Sequence, residues 1–236
     1  MTKIRCAIFG FHGCVYNKFG NSVLHALKTL FRCRNLIIKE EDFIQTTGLH
    51  INKRILDVLN KPHVEIKWTE MYGKKPSYYD SLELEKDFYT IYNTNTKYQF
   101  LPGVENVLEL LKQKNIKIIL NSEQKNFNFD DCFDYVITDN DKFKPYSTWK
   151  ILEKLDIYDI KSVINIDSTV PGLLGGKNLN CINIGVNAWS PNINTISNEL
   201  KYEVKNSYDL LSLTTPDYLL PHFYNFEEIL NEIENY

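Results

Sequence analysis

IRCAIFGFHGCV, residues 4–15, is an apolar run that stops at a glycine and passes into a loop. Four more short apolar runs follow, IKIIL (116–120), FDYVI (133–137), VINID (163–167) and CINIG (181–185). Near-continuous apolar stretches of this length are the signature of parallel strands buried on both faces. Amphipathic helical patterns lie between them. Val104, Val107, Leu108 and Leu111 follow a helical stripe after Pro102-Gly103, and Phe226, Ile229, Leu230 and Ile233 repeat the spacing. Strand and helix alternate, so the sequence predicts a doubly wound, Rossmann-like α/β sheet of five parallel strands with the 4–9 strand central.

About a hundred residues separate the first run from the second, against the dozen or so that one crossover needs. The interval reads as helical over 22–32, 51–60 and 81–92. It predicts a helical cap domain over residues 18–98, inserted into a core domain made of residues 1–17 and 99–236.

With 43% hydrophobic and 24% charged residues, the 236-residue chain can build a sizeable core and is unlike a disordered chain. Its net charge of −3 argues against general nucleic-acid binding. No apolar run reaches the roughly 18 residues that cross a bilayer, so no membrane association is expected. The cysteines Cys6, Cys14, Cys33, Cys132 and Cys181 are scattered and odd in number, without a CxxC pair. Neither a disulfide framework nor a zinc site is expected, and the reading is cytoplasmic.

In open α/β sheets, ligands bind beyond the carboxyl ends of the strands. There stand Gly10-Phe11-His12-Gly13-Cys14-Val15, Asn121-Ser122-Glu123, Lys144-Pro145-Tyr146 and Ile166-Asp167-Ser168. With the inserted lobe, this layout resembles the haloacid dehalogenase (HAD) superfamily, and most closely its phosphonoacetaldehyde hydrolase (phosphonatase) family. Trp68, Gly73 and Lys75-Pro76 resemble that family's cap, Leu101-Pro102-Gly103-Val104 its return to the core, and Asp217-Tyr218 onward its last strand and helix.

The resemblance implies an aspartate nucleophile that also binds Mg²⁺, at the position held here by Gly10, which has no side chain to attack or to ligate. It implies a Schiff-base lysine at the position of Ile51; Lys53, two residues on, is about 200° around the helix. The family's second metal-supporting acid falls on Pro171. Three matched positions survive: Ser122 for phosphate binding, Lys144 as the balancing cation, and Asp167 as the remaining metal carboxylate. Their bland readings are a strand-end serine, a solvated lysine and a turn-capping carboxylate. His12 is the one possible substitute catalytic group, against a simple loop histidine. Cys14 reads as a small buried residue, Gly175-Gly176 as a turn, and Trp68, Trp149 and Trp189 as packing residues.

The expectation is therefore a catalytically inactive, phosphonatase-like pseudoenzyme that binds a protein partner or a phosphate-like anion, or serves as a subunit of a larger assembly. No cofactor is expected, with Mg²⁺ only if the site still functions. The rival is a HAD-type phosphohydrolase using His12 or a water held by Asp167. The family pairs through cap helices, and Val23, Leu24, Leu27, Leu30 and Phe31 offer an apolar face, so a homodimer is expected.

Overall fold

The computed structural model describes residues 3–19, 23–44, 46, 49–92, 97–122, 131–138, 145–187, 208–209 and 211–235. The chain divides into two compact units, one of Met1–Asn17 with Phe100–Tyr236 and one of Lys18–Gln99.

The first unit is built on strands β1 (Cys6–Gly10), β4 (Lys117–Asn121), β5 (Tyr135–Ile137), β6 (Val163–Asp167), β7 (Ile182–Val186) and β8 (Tyr218–Leu220). They form one sheet in the order β5-β4-β1-β6-β7-β8, and every pairing is parallel. The sheet has six strands where five were expected. The added edge strand, β8, falls where the resemblance placed a last strand from Asp217-Tyr218 onward, outside the five apolar runs. β1 and β6 are the central pair, and all ten of their residues are buried, which is why both read as unbroken apolar runs. Phe9 is fully buried, worth roughly 2–3 kcal/mol by apolar area alone.

Helices α6 (Val104–Gln113), α7 (Tyr146–Lys154), α8 (Val170–Leu179) and α9 (Phe226–Asn235) accompany the sheet. α6 starts from Gly103, whose φ of 85° suits a residue without a Cβ. α8 is the exception to the sequence reading. Gly175 and Gly176, expected in a turn, are buried inside this helix. Glycine costs about 1 kcal/mol there relative to alanine, and close packing on the sheet is the compensation. A Cβ on Gly176 would stand 2.8 Å from Cγ of Asn165.

The second unit contains α1 (Val23–Cys33), α2 (Glu40–Ile44), α3 (Ile51–Leu59), α4 (Pro62–Tyr72) and α5 (Tyr78–Tyr92). α4 escapes a periodicity reading because it buries only Val64 and Trp68. Pro62 in its first turn and Gly73 at its end, with φ 68°, set its limits. Leu27, Leu30 and Phe31 of α1 are buried in this unit's own core, with Val23 and Leu24 packed against it. Much of the apolar face that suggested a partner packs within this unit, with Val23 and Leu24 only partly buried. Two short strands that sequence did not reveal, β2 (Tyr16–Phe19) and β3 (Lys97–Phe100), pair as a separate sheet. None of the described helices is long and apolar enough to cross a membrane.

Candidate functional site

The carboxyl ends of β1, β4 and β6 adjoin one another, because β1 pairs with both neighbours. Gly10 closes β1 and stands in register with Asn121, so it lies inside the sheet, one residue further than the apolar run suggested. Phe11 follows, fully buried, with its ring edge-on to His12 at 4.7 Å and tilted against Tyr16 at 5.0 Å. Tyr16 stacks on Phe100 at 4.8 Å. The loop is tight. Gly13 takes φ 70°, and its N–H donates to Tyr16 O, while the N–H groups of Val15 and Tyr16 both donate to Phe11 O.

Two side chains tie this loop to the end of β6. The Cys14 thiol donates to Ile166 O at 3.3 Å, and the Ser168 hydroxyl donates to His12 O at 2.9 Å. Cys14 is fully buried, as its size and position suggested, and His12 is half-buried. Ser122 is also fully buried, and its N–H donates to Ile137 O across the strand end. Lys144 and Trp189 lie outside the described residues.

Asp167 defines the site. It is 2% exposed, and its Oδ1 accepts from the Thr169 N–H at 2.8 Å and from the Thr169 hydroxyl at 2.7 Å. Thr169 in turn is the N-cap of α8, its oxygen accepting from the Gly172 N–H at 3.2 Å. A carboxylate one turn before a helix N-terminus is held by those donors and by the positive end of the helix dipole. The cap of α8 is therefore Thr169, and Asp167 braces it through two hydrogen bonds.

The same carboxylate occupies the space above Gly10. A Cβ placed on Gly10 would stand 2.6 Å from Cγ of Asp167, where ordinary contact begins near 3.4 Å. A Cβ on Gly172 would collide with the Asp167 carboxylate as well. Asp167 is thus packed against the Cα atoms of two glycines. Asn165 and Asn183 continue this buried polar row beneath α8, Asn165 Nδ2 donating to Asn183 Oδ1 at 2.8 Å and to Gly172 O at 3.2 Å. Asn183 Nδ2 donates to Leu173 O at 2.7 Å.

The roles of Thr169 and Gly172 were missed in sequence. Their signal was a threonine just before Val170-Pro171 with a glycine three residues on, an N-cap followed by proline in the first turn. In the helical unit, Ile51 is 2% exposed in the core, while Lys53 lies on the exposed side of α3.

Among solved structures, the chain is similar to a phosphonoacetaldehyde hydrolase-like protein from Oleispira antarctica, with a TM-score of 0.83 at 15% identity, covering 98% of this chain and 93% of that one. It is also similar to a haloacid dehalogenase-like hydrolase from Bacteroides fragilis, with a TM-score of 0.67 at 12% identity, covering 95% of this chain and all of that one. These likenesses and the six-stranded parallel sheet make the core a HAD-like α/β fold. Within that class, the sequence resemblance is to phosphonoacetaldehyde hydrolases. The protein of that name from Hahella chejuensis is 23% identical over 220 residues, 84% of this chain and 70% of that protein. Its counterpart from Bacillus cytotoxicus is 22% identical over 229 residues, 89% of this chain and 84% of that protein. No family model matches the chain.

The fold class implies Mg²⁺ beside the nucleophile, and the residues present do not fit it. Gly10 and Pro171 have no ligating atoms in their side chains, and Oδ1 of Asp167 already accepts two hydrogen bonds from Thr169. Among the described residues no three His, Cys, Asp or Glu side chains cluster to hold a metal ion. A single carboxylate would leave most of the Mg²⁺ shell to water.

Proposed function

We propose that this chain is a catalytically silent, phosphonatase-like HAD protein that works by binding. The observation that carries the reading is the Asp167 carboxylate packed against Gly10. Covalent phosphoryl or phosphonyl transfer needs a nucleophile at the carboxyl end of the central strand. Here that position lacks a side chain, and the room a side chain would need is filled by the carboxylate that braces the helix-capping Thr169.

Two routes to binding were open from sequence, the old pocket or the surface. Burial of Phe11 and Ser122 at the strand ends supports the surface, since neither offers area to a guest. The protein then acts toward a partner, or within a larger assembly, through its exterior. Calorimetric titration with inorganic phosphate, with and without Mg²⁺, tests this choice. The reading expects no saturable heat at millimolar phosphate. Saturable, Mg²⁺-independent binding would restore the anion pocket, and Mg²⁺-dependent binding would favour the hydrolase reading with His12 as the substitute group.

A further inference from the structure

Helix α7 carries aromatic rings on the face turned away from the sheet. Thr148 and Leu152 are buried, and Ile151 and Leu155 pack on the core cluster of the sheet. Tyr146, Trp149, Lys150 and Glu153 form a second stripe at helical spacing. Trp149, expected as a packing residue, is 43% exposed, Tyr146 is 64% exposed, and Tyr158 just beyond the helix is 74% exposed. These five residues line one shallow depression of about 370 Å³, room for a small solute and not for a large one.

One contact within the depression shows what its rings accept. Lys150 Nζ lies 4.4 Å from the centre of the Tyr146 ring, a distance at which the negative face of an aromatic ring attracts a cation. The fixed charges have the same preference. Glu153 is exposed and has no ion-pair partner among the described residues. The Tyr158 hydroxyl donates to Asp156 Oδ1 at 3.3 Å. Asp156, by its charge and by this bond, raises the Tyr158 phenol above its ordinary pKa, and Glu153 adds to the rise. Both charges that act on Tyr158 are thus negative. A primary ammonium is strongly hydrated and gives up water for little in such a place. A quaternary ammonium has no N–H groups to satisfy and suits ring faces beside a carboxylate.

We propose that this depression binds a small quaternary ammonium solute, with its methyl groups against Trp149 and Tyr158 and its charge balanced by Glu153. Lys150 is the built-in competitor. Its stem is long enough to carry the ammonium off Tyr146 into water, and removing its charge strengthens the site. The inference goes beyond catalytic silence and does not depend on it, since none of the five lining residues is Gly10, Ser122 or Asp167. Exposed cation–ring contacts are individually weak, so a dissociation constant on the order of 1–10 mM is expected.

Heteronuclear NMR titration of the full chain with choline chloride tests the proposal, with sodium chloride at equal ionic strength as the baseline. The Trp149 indole N–H resonance, assigned by its loss in Trp149→Phe, should move along a saturating curve within about 50 mM choline. The uncharged isostere of choline, in which carbon replaces nitrogen, should bind at least about fivefold more weakly, because it keeps the apolar contact and loses the cation. Glu153→Gln should weaken choline at least about threefold, and Lys150→Met should strengthen it by a similar factor. Both substitutions are at exposed positions, and unchanged circular dichroism confirms the fold. Phosphatidylcholine vesicles at the same headgroup concentration should not carry the chain into the pellet. A linear, unsaturated response to choline overturns the site, and equal binding of the isostere overturns cation recognition. Binding unmoved by both Glu153→Gln and Lys150→Met overturns the location, and co-sedimentation with the vesicles overturns a free solute as the ligand.

Discussion

Gly10→Ala adds one methyl group to a place that the Asp167 carboxylate already fills. The new Cβ would lie 2.6 Å from Cγ of Asp167, about 0.8 Å inside ordinary contact. Asp167 has little room to shift, because its carboxylate is also packed against the Cα of Gly172. It must swing away and weaken its bonds from the Thr169 N–H and hydroxyl, at 2.8 and 2.7 Å. Hydrogen bonds to a charged group contribute about 1.5–3 kcal/mol each, and overpacking adds about 1–3 kcal/mol. Losing most of one bond with residual strain comes to about 2–4 kcal/mol. For a chain of this length each kcal/mol moves the thermal midpoint by about 2–4 °C, so a fall of roughly 5–15 °C is expected in calorimetry. A double-mutant cycle isolates the cause. In an Asp167→Ala background the added methyl meets no carboxylate and should cost under about 1 kcal/mol, leaving a coupling of at least about 1–2 kcal/mol. Additivity within about 0.5 kcal/mol, or a neutral Gly10→Ala, would refute the packing argument.

Restoring the family's nucleophile by Gly10→Asp should give no turnover, because the carboxylate would enter occupied space; a phosphonoacetaldehyde assay with Mg²⁺ checks this, and recovered activity would show the site to be intact but for one residue. Gly176→Ala should destabilise by about 2–3 kcal/mol in urea, through loss of the Asn165–Asn183 bond, and not stabilise by the ~1 kcal/mol of helix propensity. Burial pushes the Cys6 thiol well above its ordinary 9.0, with Cys181 close by adding to it, and pushes Cys181 up to about 12. The folded chain then keeps protons that the unfolded chain releases above pH 9, so the thiols' contribution is whole below that pH and is lost as pH rises toward 12. Two such groups give about 2.7 kcal/mol per pH unit, a slope that a Cys6→Ala/Cys181→Ala variant should lose when denaturation is compared across that window. In native alkylation Cys33, which is exposed, should react quickly, while Cys6, Cys14 and Cys181 should wait for unfolding.

The strands were legible because burial on both faces leaves unbroken apolar runs, and 163–167 matches β6 residue for residue. β1 ran one residue further than its run, since a glycine can complete a ladder without contributing an apolar side chain. Gly10, matched to the nucleophile position by resemblance, does close the central strand β1. What fills the room beside it was not legible, because the seat of Asp167 depends on Gly172 approaching from α8, a tertiary contact between residues with no shared local pattern. Gly175-Gly176 misled for the same reason: tertiary packing overrode the turn preference of paired glycines. Trp149 misled because an apolar residue on a helix of this period can serve either face, and Leu152 and Thr148 had already claimed the inner one.

Phosphorus NMR of phosphonoacetaldehyde incubated with the purified chain and Mg²⁺ tests catalytic silence most directly, because carbon–phosphorus cleavage releases inorganic phosphate as a separate resonance. The structure predicts no phosphate above a protein-free control, in wild type and in His12→Ala alike. Phosphate release that is catalytic in the protein, and that disappears in His12→Ala or Asp167→Asn, would contradict the account.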